Sequence, residues 1–274
     1  MLKFIKEDWV LGDMERFTNR LIVITGGGSD PESDAVGFGF QIASDLYKRG
    51  TKVVILGTRI HRLEDAMQRI VSSDSDRFGF YECDVSDAAR VAEVFSHIKD
   101  NYGNVYGLVN NAAINVRKNS LELSIEDWDR IIGVNLSGAF YCRQTAMRQM
   151  KDQGVGSVVD ISSIGVKFPF GGMSSYGASK GGLETLAMYD AKDLDQFGIR
   201  INVVRPGYGR TPLTAKYLDG LQVNDRSRYD EIVARQPDGG LVTPKQVSKA
   251  VLDLLDPSCT KTGQIVEVAN GYRS

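Results

Sequence analysis

Leu21-Ile22-Val23-Ile24-Thr25-Gly26-Gly27-Gly28-Ser29, taken up again at Gly37-Phe38-Gly39 after a seven-residue interruption, is the stretch that decides how this chain folds. Aliphatic, β-branched residues at Leu21–Thr25 predict a buried strand, and the glycines directly after it predict a tight turn into a helix over Gly37–Arg49. Glycines at that place let the backbone approach a pyrophosphate at a helix N-terminus. The interruption, Asp30-Pro31-Glu32-Ser33-Asp34-Ala35-Val36, carries three carboxylates that would repel a diphosphate, so it is expected to loop outward into water. A flap, or a contact to a neighbouring subunit, is the alternative use of such a loop.

The same unit repeats outward from this turn. Strands are expected at Lys52–Gly57, Phe78–Cys83, Val105–Asn110, Ser157–Ser162, Ile199–Arg205 and Gly263–Val268. Helices are expected near His61–Val71 and Asp87–Tyr102, within Ser124–Met150, and over Ser174–Gln196 and Pro244–Leu255. Alternating strands and helices with right-handed crossovers give an α/β class: a doubly wound, Rossmann-like fold with a mainly parallel sheet of about seven strands and helices on both faces. Residues 1–274 read as one domain, with 1–13 as an N-terminal extension, 30–36 as the insertion and 208–240 as a substrate lid built on the least regular part of the chain.

Composition narrows the function. A net charge of −2 without a long basic run gives no support to nucleic-acid or anionic-membrane binding, and no apolar run approaches a membrane span. Three scattered cysteines and two histidines suit a reducing compartment and form no metal-ligand spacing, so no metal is expected and the cytoplasm is the expected location.

The chemistry is carried by Ser174-Ser175-Tyr176-Gly177-Ala178-Ser179-Lys180. Four residues apart on a helix, Tyr176 and Lys180 share one face. An ammonium beside a phenol is expected to lower the phenol's pKa and make it a proton donor or acceptor near neutral pH. Ser163, thirteen positions before Tyr176, supplies a second hydroxyl, while Ser162 points to the opposite face of its strand.

Thr25–Gly39, Asn110-Asn111-Ala112-Ala113, Asn135, Ser163, Tyr176, Lys180 and Pro206-Gly207 together resemble the classical short-chain dehydrogenase/reductase family, with a lengthened glycine-rich loop. The resemblance runs in order from about Phe17 to Gly271. It implies a nicotinamide-dependent oxidoreductase in which Tyr176 is the acid/base and Lys180 tunes it and holds the nicotinamide ribose. By the same resemblance, Ser163 binds the substrate oxygen and Asn135 holds a water that links Lys180 to solvent. Cofactor contacts are expected from Gly26, Gly37, Gly39, Asp84, Val85, Asn110 and Thr211, besides Tyr176 and Lys180. Gly57 stands where an NAD enzyme usually has an acid, and Arg59 is placed to pair with a 2′-phosphate, so NADP(H) is favoured with NAD(H) as the alternative.

The substrate is expected to be a small oxygenated ketone or secondary alcohol; the resemblance of Asn111–Lys118 to the loop of sugar-acid dehydrogenases implies a sugar acid or polyol, with Arg117 on a carboxylate. Phe168, Phe170, Met173 and Tyr208 would line an apolar wall, which points instead to an acyl-carrier or other apolar-ketone reductase. A catalytically silent nucleotide-binding regulator is the reading from a different class. The Tyr-to-Lys spacing of four argues against an enoyl reductase. Relatives of this type are dimers or tetramers built on two long helices, so a homo-oligomer is expected.

Overall fold

A computed structural model describes residues 16–72 and 75–273; the expected extension at 1–13 lies outside the described residues. Seven parallel strands form one sheet in the order β3-β2-β1-β4-β5-β6-β7. They are β1 (Leu21–Thr25), β2 (Lys52–Gly57), β3 (Phe78–Glu82), β4 (Val105–Asn110), β5 (Gly156–Ile161), β6 (Ile199–Pro206) and β7 (Ile265–Val268). The strand expectations hold to within two residues at each end.

Every residue of β1 is buried, and its side chains alternate between two cores. Ile22 and Ile24 pack with Ile42 and Leu46 of α1 (Phe38–Lys48), Leu63 of α2 (Ile60–Ile70) and Val247 and Val251 of α9 (Pro244–Leu255). Leu21 and Val23 face Val94 and Phe95 of α3 (Ala88–Tyr102), Ala146 of α5 (Ala139–Gln153) and Ala187 of α6 (Ser174–Leu194). Each aliphatic side chain fully buried in this way contributes about 1.5–3 kcal/mol over its exposed state. Helices thus cover both faces, as the run of β-branched strands requires.

The helix expected within Ser124–Met150 is interrupted. α4 (Ile125–Ile132) begins at Ser124, whose hydroxyl accepts from Asp127 N at 3.1 Å, and a wider π-type segment, Gly133–Gly138, separates it from α5. The irregular region holds two short helices, α7 (Ala215–Asn224) and α8 (Arg226–Ala234). No helix among the described residues is long and apolar enough to cross a membrane. Chain order reverses at β1, with β2 on one side and β4 on the other, so the crevice at the C-terminal strand ends opens there.

Candidate active site

A cavity of about 1040 Å³ occupies that crevice, running from Gly26, Gly57 and Arg59 at one end to Tyr176, Tyr208 and Tyr217 at the other. Thr25 and Asn111 pin its floor. The Thr25 hydroxyl accepts from the backbone N–H of Asn111 and Ala112 at 3.0 and 2.9 Å, and Asn111 Nδ2 donates to the carbonyls of Thr25 and Gly26 at 3.0 and 2.9 Å. Gly26 takes a left-handed φ of 67°. A Cβ on Gly39 would stand 2.5 Å from both Asn111 Nδ2 and Gly26 O, so only glycine lets α1 approach the turn this closely. Gly26 and Gly37 face the cavity, whereas Gly39 serves the packing behind it. Gly37 caps α1 without a side-chain bond, leaving first-turn N–H groups free to meet an anion. The cradle therefore fits a dinucleotide's diphosphate.

The acidic insertion departs from expectation. Only Glu32 and Asp34 point outward; Asp30 turns in and bonds Arg62 at 2.6 Å with 14 % of its side chain exposed. Asp34 pairs with Arg210 at 2.8 Å, and Arg210 also holds Asp219 of α7 at 2.7 Å. Two guanidinium groups, invisible as partners at that sequence distance, pair with Asp30 and Asp34, and the Arg62 pair lets Asp30 turn away from water.

Beyond the end of β2, Arg59, Asp84 and Val85 line the cavity. Burial and the neighbouring Arg62 hold the Arg59 guanidinium below its ordinary pKa, with Asp30 opposing. The Asp84 carboxylate accepts from Ser86 N and Oγ at 2.9 and 2.7 Å, while Asp87 caps α3 through Ala89 N and Arg90 N. Asn110 does not reach the cavity: its amide donates to Asp160 at 2.8 Å and to the Ala139 carbonyl at 3.1 Å. Its neighbour Asn111 faces the cavity instead. Strand alternation carries this signal, since consecutive residues face opposite sides.

At the other end, Ser163 hydrogen-bonds the Tyr176 hydroxyl and accepts from Gly165 N at 3.1 Å. The Ser162 hydroxyl, on the opposite face as expected, donates to Glu184 at 2.5 Å. Lys180 is buried, donates to the Ile161 carbonyl at 2.7 Å and lies 5.9 Å from the centre of the Tyr176 ring. Burial pushes the Tyr176 phenol up to about 12, with the Ser163 hydrogen bond opposing. This corrects the expectation that Lys180 brings it down: burial dominates, and Lys180 is not among the groups that oppose it. Burial lowers Lys180 to about 8, and Asp160 opposes that shift.

Asn135 sits in the π-type segment and is 1 % exposed. Its amide exchanges 2.9 Å hydrogen bonds with the backbone of Ile114 and donates to Ser179 at 3.1 Å. Behind Lys180, fully buried Arg143 contacts Asp160 and bonds Asp190 of α6 at 2.7 Å. No sequence motif announced that triad; its residues are distant in sequence and meet only through the crossovers.

A family model described as enoyl-(acyl carrier protein) reductase matches residues 34–273. Cis-4-hydroxycyclohexanecarboxylate dehydrogenase of Sinomonas cyclohexanicum is 34% identical over 94% of this chain and 98% of its own length. The NADP-dependent (R)-specific alcohol dehydrogenase of Lentilactobacillus kefiri is 30% identical over 94% and 98%. The crystal structure of levodione reductase superposes with a TM-score of 0.85 at 28% identity, over 93% of this chain and 98% of that one.

The chain belongs to the short-chain dehydrogenases/reductases. It is an NAD(P)-dependent oxidoreductase of that family, acting on CH–OH groups. In this short-chain dehydrogenase/reductase the far wall of the cavity is built around Arg117. Arg117 donates to the Tyr208 hydroxyl at 2.9 Å and the Gly171 carbonyl at 3.3 Å, and stacks 4.1 Å over the Tyr217 ring. It has no carboxylate partner among the described residues. Phe170 packs edge-on against Tyr208, and Met173 joins that wall. Phe168 does not line the cavity; it stacks on Tyr272 at 5.0 Å. Thr211 lines the cavity beside Pro212, with its N–H on Thr214 Oγ at 3.0 Å.

Proposed function

We propose that this protein interconverts a ketone and a secondary alcohol on a small carboxylated substrate, a hydroxy or keto acid of sugar-acid or cyclic type, using NADP(H) in preference to NAD(H). The observation that carries this reading is one cavity holding the Ser163–Tyr176–Lys180 group and, across Tyr208, an Arg117 that has no acidic partner among the described residues. A relative named for a hydroxycyclohexanecarboxylate supports an acid substrate. Arg59 and Arg62 beside Gly57 support a 2′-phosphate.

Gly26, Gly37, Asp84, Val85 and Thr211 would hold the dinucleotide, which when bound would supply or accept the hydride. Ser163 and Tyr176 converge on the substrate oxygen. At neutral pH the Tyr176 phenol is protonated, so in the reducing direction it hands its proton to that oxygen. Lys180 then stabilises the phenolate left behind and holds the ribose. Asn135 positions Ser179 and Ile114 through its amide, and the family resemblance assigns it the water that links Lys180 to solvent. Residues 208–240 act as the substrate lid, tied to the insertion through Arg210. The whole chain works as one domain, in the cytoplasm and as a dimer or tetramer.

Arg117→Met tests the substrate reading. With a keto acid, kcat/KM falls about 30- to 100-fold, the loss of a charge-assisted contact, and with the corresponding neutral amide it changes by less than about threefold. Equal losses on both would favour the apolar-ketone reading that Phe170 and Met173 support. The pH profile adds a second check. Lys180 is protonated below its pKa of about 8, so kcat for reduction stays level below pH 8 and declines above it as the ammonium is lost. A profile rising through pH 8 would contradict that role.

A further inference from the structure

The insertion in the phosphate turn places a carboxylate at the end of the cavity that holds Gly57, Thr58 and Arg59. Ser29 N and Oγ bond the Arg62 carbonyl at 3.0 and 3.5 Å, and the same hydroxyl bonds Asp65, so the start of the insertion is stapled to the first two turns of α2. Asp30, the next residue, bonds the Arg62 guanidinium at 2.6 Å. Asp30, Arg59 and Arg62 line one end of the cavity beside Gly57 and Thr58. Arg59 has no ion pair among the described residues, and the Arg62 Nε is buried without a hydrogen-bond partner. The corner thus holds two cations and one anion, and the anion already occupies one of the cations.

Resting on the NAD(P) reading above, we propose that Asp30 is a cofactor-selecting residue: its carboxylate competes with a 2′-phosphate for Arg62 and keeps the pocket open to NAD(H). A 2′-phosphate entering between Arg59 and Arg62 meets a net charge of only +1, and it must share or displace the Asp30 contact. A ribose diol carries no charge, so it incurs no such repulsion and can donate its hydroxyls to the Asp30 carboxylate. Removing the carboxylate frees both guanidinium groups for the phosphate, whose pairing with arginine is charge-assisted and bidentate. The insertion lies across the sheet end from Ser163 and Tyr176, so this selection acts on cofactor binding without touching the reacting groups.

The test is fluorescence titration of NADPH and NADH against the native protein, Asp30→Asn and Arg62→Gln, with thermal unfolding to establish that each variant is folded. For Asp30→Asn the NADPH dissociation constant falls about tenfold relative to that for NADH, a difference of about 1.4 kcal/mol. Arg62→Gln moves the ratio the opposite way, because Asp30 is left facing the phosphate without its partner. Displacement of bound NADPH by adenosine 2′,5′-bisphosphate, against 5′-AMP as the control, strengthens in Asp30→Asn by the same factor. An unchanged ratio in Asp30→Asn would overturn the assignment, and so would a shift towards NADH, which would make Asp30 a support for Arg62 rather than a competitor. If the native protein binds either dinucleotide and only the ratio fails to move, the selection idea alone falls. If it binds neither, the cofactor reading falls with it.

Discussion

Tyr176→Phe lowers kcat for ketone reduction by about 10²–10⁴-fold, while the dissociation constants for NADPH and NADH stay within about threefold of native. The phenol is 9 % exposed, and its hydroxyl is hydrogen-bonded to Ser163 inside the cavity. Removing one oxygen deletes the proton donor and leaves the ring's packing in place. The cofactor's contacts lie mostly elsewhere, on the turn after β1 and the end of β2, so binding and turnover separate. Steady-state kinetics beside a binding titration reads both. Turnover retained within tenfold would remove Tyr176 from its role, and unchanged behaviour in every assay would favour the silent regulator.

Arg143→Met destabilises the protein by about 3–5 kcal/mol, because it strips a buried carboxylate of its counter-ion. Arg143 and Asp160 are both fully buried. Burial pushes the Asp160 carboxyl up, while Arg143, Asn110 and Lys180 draw it down. With Arg143 gone, only the Asn110 amide and the more distant Lys180 ammonium answer that charge. Chemical denaturation measures the loss. Arg143→Met combined with Asp160→Asn recovers much of it, since the stranded charge is gone. A double variant as unstable as the sum of its parts would mean that the pair is not energetically coupled. Because Arg143 also bonds Asp190 on α6, the triad ties the helix bearing Tyr176 and Lys180 to β5 and α5.

Elements with strong local signals were legible in the sequence. Leu21–Thr25 and Lys52–Gly57 are buried parallel strands whose β-branched runs announce them, and Pro244–Leu255 begins with Thr243 and Gln246 forming a capping box. Helical spacing pairs Tyr176 with Lys180 and strand parity separates Ser163 from Ser162, while the grouping of all three is what the family resemblance implied. What stayed hidden depends on long-range pairing. The reach of Arg62 to Asp30 turns one of the three carboxylates inward, and Arg210 meets Asp34 at the surface; neither arginine carries a local mark. The Tyr176 pKa failed for a related reason: spacing reveals a neighbouring charge but not how completely both groups are buried. Asn110 was assigned to the cofactor side although the alternation along β4 turns it towards Asp160 and leaves Asn111 at the cavity.

The most direct measurement uses NADPH deuterated at both C4 positions of the nicotinamide, incubated with the purified protein and a set of cyclic and sugar-derived keto acids, with mass spectrometry of the products. Deuterium on the carbinol carbon of a hydroxy acid, formed by the native protein and lost in Tyr176→Phe, is the predicted result. Dinucleotide binding with no labelled alcohol from any ketone, acidic or neutral, would contradict the account.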